Sequence, residues 1–132
     1  MKTKASLAIG LVAMAAAGCG GGGTASNQQG VRSTFNKVVH ELADRNPAAC
    51  ELFSKRYAVE NTGQANYQAA LATCRAHTSQ HSVSLPPGLR IDHVEVKGNT
   101  ATLKASAPGQ GSGIFHFVKE SGQWKIDSVT SR

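Results

Sequence analysis

No apolar run in this chain is long enough to cross a bilayer. The longest, Ala5 to Ala17, holds about 13 residues, where a permanent span takes about 20. Aromatic residues make up only 5% of the chain, and none is interleaved with a dense basic stripe. The 14 Lys and Arg outnumber the 8 Asp and Glu, but apart from Lys2 and Lys4 they are scattered from Arg32 to Arg132. That pattern argues against nucleic acid and is compatible with mild attraction to an anionic membrane surface. There is no internal repeat. The glycine-rich stretch Pro108 to Gly113 lacks the Lys-Ser/Thr pair and the following helix of a phosphate loop, so it reads as a connection between strands. Disorder is excluded by a hydrophobic fraction of 40%, which is ordinary for a globular domain. At 132 residues the chain is one domain by size.

What is present begins with a leader. Lys2 and Lys4 precede the apolar run, which ends in Ala16-Ala17-Gly18-Cys19. A charged start, a short apolar centre and small residues before a cut site describe a secretory signal peptide over residues 1–18. Ala16-Ala17-Gly18-Cys19 resembles the lipobox of bacterial lipoproteins, and that resemblance implies cleavage before Cys19 and a lipid on its thiol. The alternative is a conventional signal peptide that leaves Cys19 as a free thiol. Losing Lys2 and Lys4 lowers the formal charge from +6 to +4. Residues 19–30, with Gly20 to Gly23 and no apolar periodicity, read as a flexible tether. The expected location is the extracytoplasmic face of a cell membrane, held by the lipid anchor.

The folded domain is expected over residues 31–132. Val31, Phe35, Val38 and Leu42 share one helix face. Asn46-Pro47 stops that helix and starts a second, from Ala48 to about Tyr57, because Asn caps well and Pro suits the first helical position. A third helix, about Gln64 to His77, turns Tyr67, Ala70, Leu71 and Cys74 inward, and Pro86-Pro87-Gly88 closes the helical half.

Once Cys19 is set aside as the lipid site, Cys50 and Cys74 remain for each other, and an exported chain meets an oxidising compartment. A Cys50–Cys74 disulfide is therefore expected. The competing reading is a zinc site of Cys50, Cys74, His77 and His81.

From Leu89 to Val129 apolar and polar residues alternate, with tight turns at Gly98-Asn99 and Ser121-Gly122, which describes two linked antiparallel hairpins. A break in the alternation near Asp92-His93 predicts a bulge. A two-residue turn at Ser121-Gly122 pairs Phe117 with Ile126, Lys119 with Trp124 and His116 with Asp127. Phe115, Phe117, Trp124 and Ile126 then face the core. The fold class is α+β, with three N-terminal helices packed on a curved antiparallel sheet.

Three helices followed by such a sheet, with Asn99-Thr100-Ala101-Thr102-Leu103 and Lys119-Glu120-Ser121-Gly122-Gln123-Trp124-Lys125-Ile126 as local markers, resemble the nuclear transport factor two-like superfamily over about Val31 to Val129. The resemblance implies a cone with a pocket at its open end. It also implies either an isomerase- or hydratase-type enzyme without a cofactor or a binding and accessory module of the cell envelope. The enzyme class places an Asp or His base in the pocket, and His40, Asp44, Tyr57, Tyr67, His93 and His116 are the residues that bear on it. Of these, His40, Asp44, Tyr67 and His116 are taken as pocket residues. No catalytic motif is matched, so no catalytic residue is assigned, and no cofactor or metal is expected. The reading is a membrane-tethered module that engages a small apolar ligand or an envelope protein.

Overall fold

The computed structural model describes residues 18–131, with side chains from residue 25 onward. The signal peptide expected over residues 1–18 falls outside the described residues except for its last position, and so does the Cys19 side chain. Helix α1 spans Gly18–Ala43. Among the described residues, no helix is long and apolar enough to cross a membrane.

Val31, Phe35 and Val38 are buried on one face of α1, as their spacing predicts. The helix begins well before Val31, however, and runs through the segment read as a tether. The reason is a pair of contacts that apolar periodicity does not report. The Lys119 ammonium donates to Asn27 Oδ1 at 3.0 Å, and Gly30 lies against the indole of Trp124. The four glycines of Gly20 to Gly23 each cost about 1 kcal/mol relative to alanine in a helix. The start of α1 is therefore intrinsically its weakest part.

The expected second helix is split. A 3-10 helix, Pro47–Leu52, is capped by the Asn46 side chain, which accepts from the Ala48 amide at 3.0 Å. Helix α2 follows at Lys55–Thr62, capped by Ser54. Between them Phe53 is extended and forms a parallel bridge with Ile126, and the Ser54 amide donates to the Ile126 carbonyl at 2.8 Å. These bonds to the sheet edge replace helical ones, which breaks the helix at Phe53. Helix α3 spans Tyr67–Gln80, three residues later than expected, because the N-cap falls at Asn66, whose side chain accepts from the Ala69 amide at 2.9 Å. Ala49 and Ala70 are fully buried. A disulfide joins Cys50 to Cys74 with an S–S distance of 2.05 Å, as expected, and ties the 3-10 helix to α3.

Four antiparallel strands follow in the order β1-β2-β3-β4: β1 Arg90–Lys97, β2 Thr100–Ala107, β3 Gly111–Glu120 and β4 Gln123–Ser131. Ser121 and Gly122 both have positive φ, 51° and 77°, the conformation that matches a two-residue hairpin to strand twist. The bulge in β1 lies between Ile91 and His93. Phe117 pairs with Ile126 and Lys119 with Trp124, and Phe117, Trp124 and Ile126 are buried. One pairing differs from expectation: His116 lies opposite Ser128, not Asp127, because a second bulge falls between His116 and Phe117. Asp127 is the extra residue there, and its carboxylate is held by Ser54 Oγ and Arg56 Nη2, each at 2.6 Å.

Candidate functional site

Helix α1 packs closely on the sheet where Gly30 meets Trp124, and toward its C-terminal end helix and sheet both line a space between them. This space is an open cavity of about 520 Å³, within the usual size for a small-molecule site. Phe35, Val38, Val39 and Leu42 of α1 form its roof, and Ala105, Ala107, Gly113 and Phe115 form its floor. The Phe35 and Phe115 rings meet edge to face, with centroids 4.9 Å apart. Phe53, Tyr57, Ile126 and Val129 build a wall along the β4 edge.

The remaining side is a strap between α3 and β1, from which Val83, Leu85, Pro86 and Leu89 reach the cavity. Backbone and side-chain bonds hold it to the end of α1: the Val83 amide donates to the Leu42 carbonyl at 3.4 Å and Ser82 Oγ donates to the Ala43 carbonyl at 3.0 Å. Gly88, at φ 77°, sits so close to Pro108 that a Cβ would come within 3.0 Å of the ring. The strap therefore touches the β2–β3 loop across the mouth. Val83 and Val129, the large apolar side chains that stay exposed among the described residues, both belong to this cavity.

No family model matches the sequence, and no curated protein matches it either. In structure the chain is similar to an NTF-2 like protein of unknown function from Silicibacter pomeroyi. The TM-score is 0.54 at 17% identity, over 82% of this chain and 96% of that one. The fold is NTF2-like. A second similar structure, an NTF2-like protein of unknown function from Pseudomonas putida, has a TM-score of 0.49 at 12% identity, covering 80% of this chain and 85% of that one. At 17% identity the first likeness describes architecture alone.

In this NTF2-like cone the four residues taken as a pocket from sequence are spread over three surfaces, none of them the lining of the apolar cavity. His40 and Asp44 are exposed on α1 and line none of the cavities described here. Their side chains make no hydrogen bond to each other; the bond between these residues runs from the Asp44 amide to the His40 carbonyl at 3.1 Å. Tyr67 opens α3 beneath the Lys55 ammonium, 5.6 Å from the ring centroid. It lines a shallow recess with Lys55, Glu120 and Lys125. Partial burial, then the negative charges of Glu51 and Glu120, raise its pKa. His116 lies on the outer face of the sheet, in a depression of about 370 Å³ that it shares with Glu95, Lys97 and Asp127. Partial burial alone would raise the Asp127 pKa, but the hydrogen bonds from Arg56 and Ser54 outweigh it and hold the carboxyl below its ordinary range.

The apolar cavity contains none of these four. Among its described lining residues there is no Asp, Glu, His, Lys or Arg, and Tyr57 is the one titratable side chain. Tyr57 is among the sequence candidates but not among the four taken as pocket residues, and the structure places it in the cavity wall. The signal that marks the site in sequence is the coincidence of Pro86-Pro87-Gly88 with the glycine-rich Pro108 to Gly113, two irregular segments that only folding brings to one mouth.

The disulfide also removes the basis of the zinc alternative, since both sulfurs are bonded to each other. His77 and His81 are left stacked on the exposed end of α3, ring centroids 4.3 Å apart.

Proposed function

We propose that this domain is a binding module that takes a small apolar ligand into the cone, and that a lipid on Cys19 holds it at the extracytoplasmic face of a bacterial cell membrane. The observation that carries the binding half is the lining of the cavity: apolar on the roof, floor, wall and strap, with no charged side chain among the described residues. General acid-base catalysis needs a titratable group within hydrogen-bond reach of the reacting atom, with its pKa tuned by a neighbour. A lining that offers one tyrosine and no carboxylate or imidazole favours capture over an isomerase or hydratase reaction. The apolar rim at Val83 and Val129 favours a ligand over a polar protein partner, because burying that rim is where such a ligand gains affinity. The anchoring half rests on the leader and its Ala16-Ala17-Gly18-Cys19 ending.

Titration with N-phenyl-1-naphthylamine, a neutral probe that fluoresces in apolar surroundings, tests the first half. Saturable enhancement at one site per chain, lost when Leu42→Glu places a carboxylate in the roof, is expected, and a flat titration defeats it. For the second half, mass spectrometry of protein from the membrane fraction should find a diacylglyceryl group on Cys19. A soluble mature form with an unmodified thiol rules the anchor out.

A further inference from the structure

The chemistry of the ligand is constrained further by which polar groups in the cavity are free. Of the two serines where β2 pairs with β3, Ser106 is already committed: its hydroxyl donates to Asp92 Oδ2 at 2.5 Å, on the side of β2 that turns away from the buried Ala105 and Ala107. Its cross-strand partner Ser112 points to that same outer side by strand alternation. Gln110 and Ser131 are exposed at the loop and at the end of β4, where water satisfies them.

Tyr57 is different. It is half-buried in the wall, its ring is held beside Phe53 at 5.5 Å between centroids, and its hydroxyl makes no hydrogen bond to any described residue. It is a donor on a lining built mainly of apolar side chains, at the β4 edge of the sheet. The strap, with Val83, Leu85 and Leu89, enters from the opposite edge, where it leads into β1.

We propose that the ligand is an uncharged amphiphile with one acceptor oxygen, received by the Tyr57 hydroxyl, and with an apolar body that runs from there toward the strap. This rests on the binding reading above and names the class of molecule bound. Charge complementarity carries it. An ionised head would leave water for a lining with no counter-charge, which is strongly unfavourable. A neutral carbonyl or ether oxygen gives up much less solvation and gains the Tyr57 O–H in exchange. The body of the ligand covers Val83 and Val129, which are 43% and 42% exposed in the empty cone.

A matched pair of ligands tests this at pH 8, by displacement of bound N-phenyl-1-naphthylamine. Methyl decanoate should displace the probe at a concentration at least about tenfold lower than decanoate, which has the same chain and an ionised head. Tyr57→Phe should weaken methyl decanoate about five- to tenfold, the factor expected for one hydrogen bond. The ester's displacement constant is read against the probe's own dissociation constant measured in the same variant, so any change in probe binding is taken out of the comparison. Equal displacement by ester and carboxylate overturns the inference, and that comparison uses only the unmodified protein. So does an unchanged ester affinity in a folded Tyr57→Phe variant. If the probe does not bind at all, the binding reading fails and this inference with it.

Discussion

Gly30 on α1 and Trp124 on β4 meet so closely that a Cβ at residue 30 would lie 2.9 Å from the indole Cδ1. The contact lets α1 descend onto the sheet, and Thr34 Oγ1 donates to the Trp124 carbonyl at 3.4 Å one turn further on. The Lys119 ammonium, 5.5 Å above the indole centroid, bonds to Asn27 on the other side. Trp124 is itself buried, so it cannot yield without disturbing the core. Gly30→Val should therefore lower stability by about 1–3 kcal/mol through overpacking, despite the better helix propensity of valine. Urea denaturation would measure it, and an unchanged midpoint would mean that α1 does not pack on Trp124.

The Cys50–Cys74 bridge closes a loop across the 24 positions that separate the two cysteines. Removing it should cost about 2–5 kcal/mol, most simply through the larger entropy of the unbridged unfolded chain. The Cys50→Ser/Cys74→Ser double variant is the cleaner test, since it leaves no odd thiol in the domain. Reduction of the unmodified protein should raise its intact mass by about 2 Da, and a mass that does not change would show free thiols.

Asp127 makes the stability pH-dependent. Its folded-state pKa lies below its ordinary value because Arg56 and Ser54 hydrogen-bond the ionised form. The stabilisation is therefore fully present above the unfolded pKa of about 3.9 and is lost as pH falls through the folded value. Asp127→Asn should cost about 1–2 kcal/mol at pH 7, the lower end of the scale for a hydrogen bond to a charged group because the Arg56 partner is exposed. It should also flatten the loss of stability below pH 4. Equal acid sensitivity in variant and parent would assign the pH dependence elsewhere.

His40→Ala, Asp44→Ala and His116→Ala should each leave probe affinity within about twofold, because none of these side chains lines the cavity. Leu85→Glu, a change on the half-buried strap, should weaken the same probe about tenfold or more by placing a carboxylate at the mouth. Thermal melts of each variant separate lost binding from lost folding. A reversed pattern, with His116→Ala abolishing binding and Leu85→Glu harmless, would move the site to the outer face of the sheet.

Local order was legible in the sequence alone. Alternation from Leu89 to Val129 and the turns at Gly98-Asn99 and Ser121-Gly122 set the four strands, and the spacing of Val31, Phe35 and Val38 set the buried face of α1. With Cys19 expected as a lipid site, the count left Cys50 and Cys74 for each other, and these two form the disulfide. Each of these is a pattern in neighbouring residues or a count, and side-chain period is a local property of the backbone. Tertiary structure decided the rest. Ser54 and Phe53 leave the helix because Ile126, more than 70 residues away, offers them strand bonds. Asp127 is pushed into a bulge where Arg56 and Ser54 reach it, which moves His116 opposite Ser128. The cavity is a gap between elements, and no single stretch of chain encodes a gap. Tyr57, Val129 and the strap became one site only when the sheet and α1 came together around that space, which is why histidines and carboxylates, conspicuous in the sequence, proved to stand outside it.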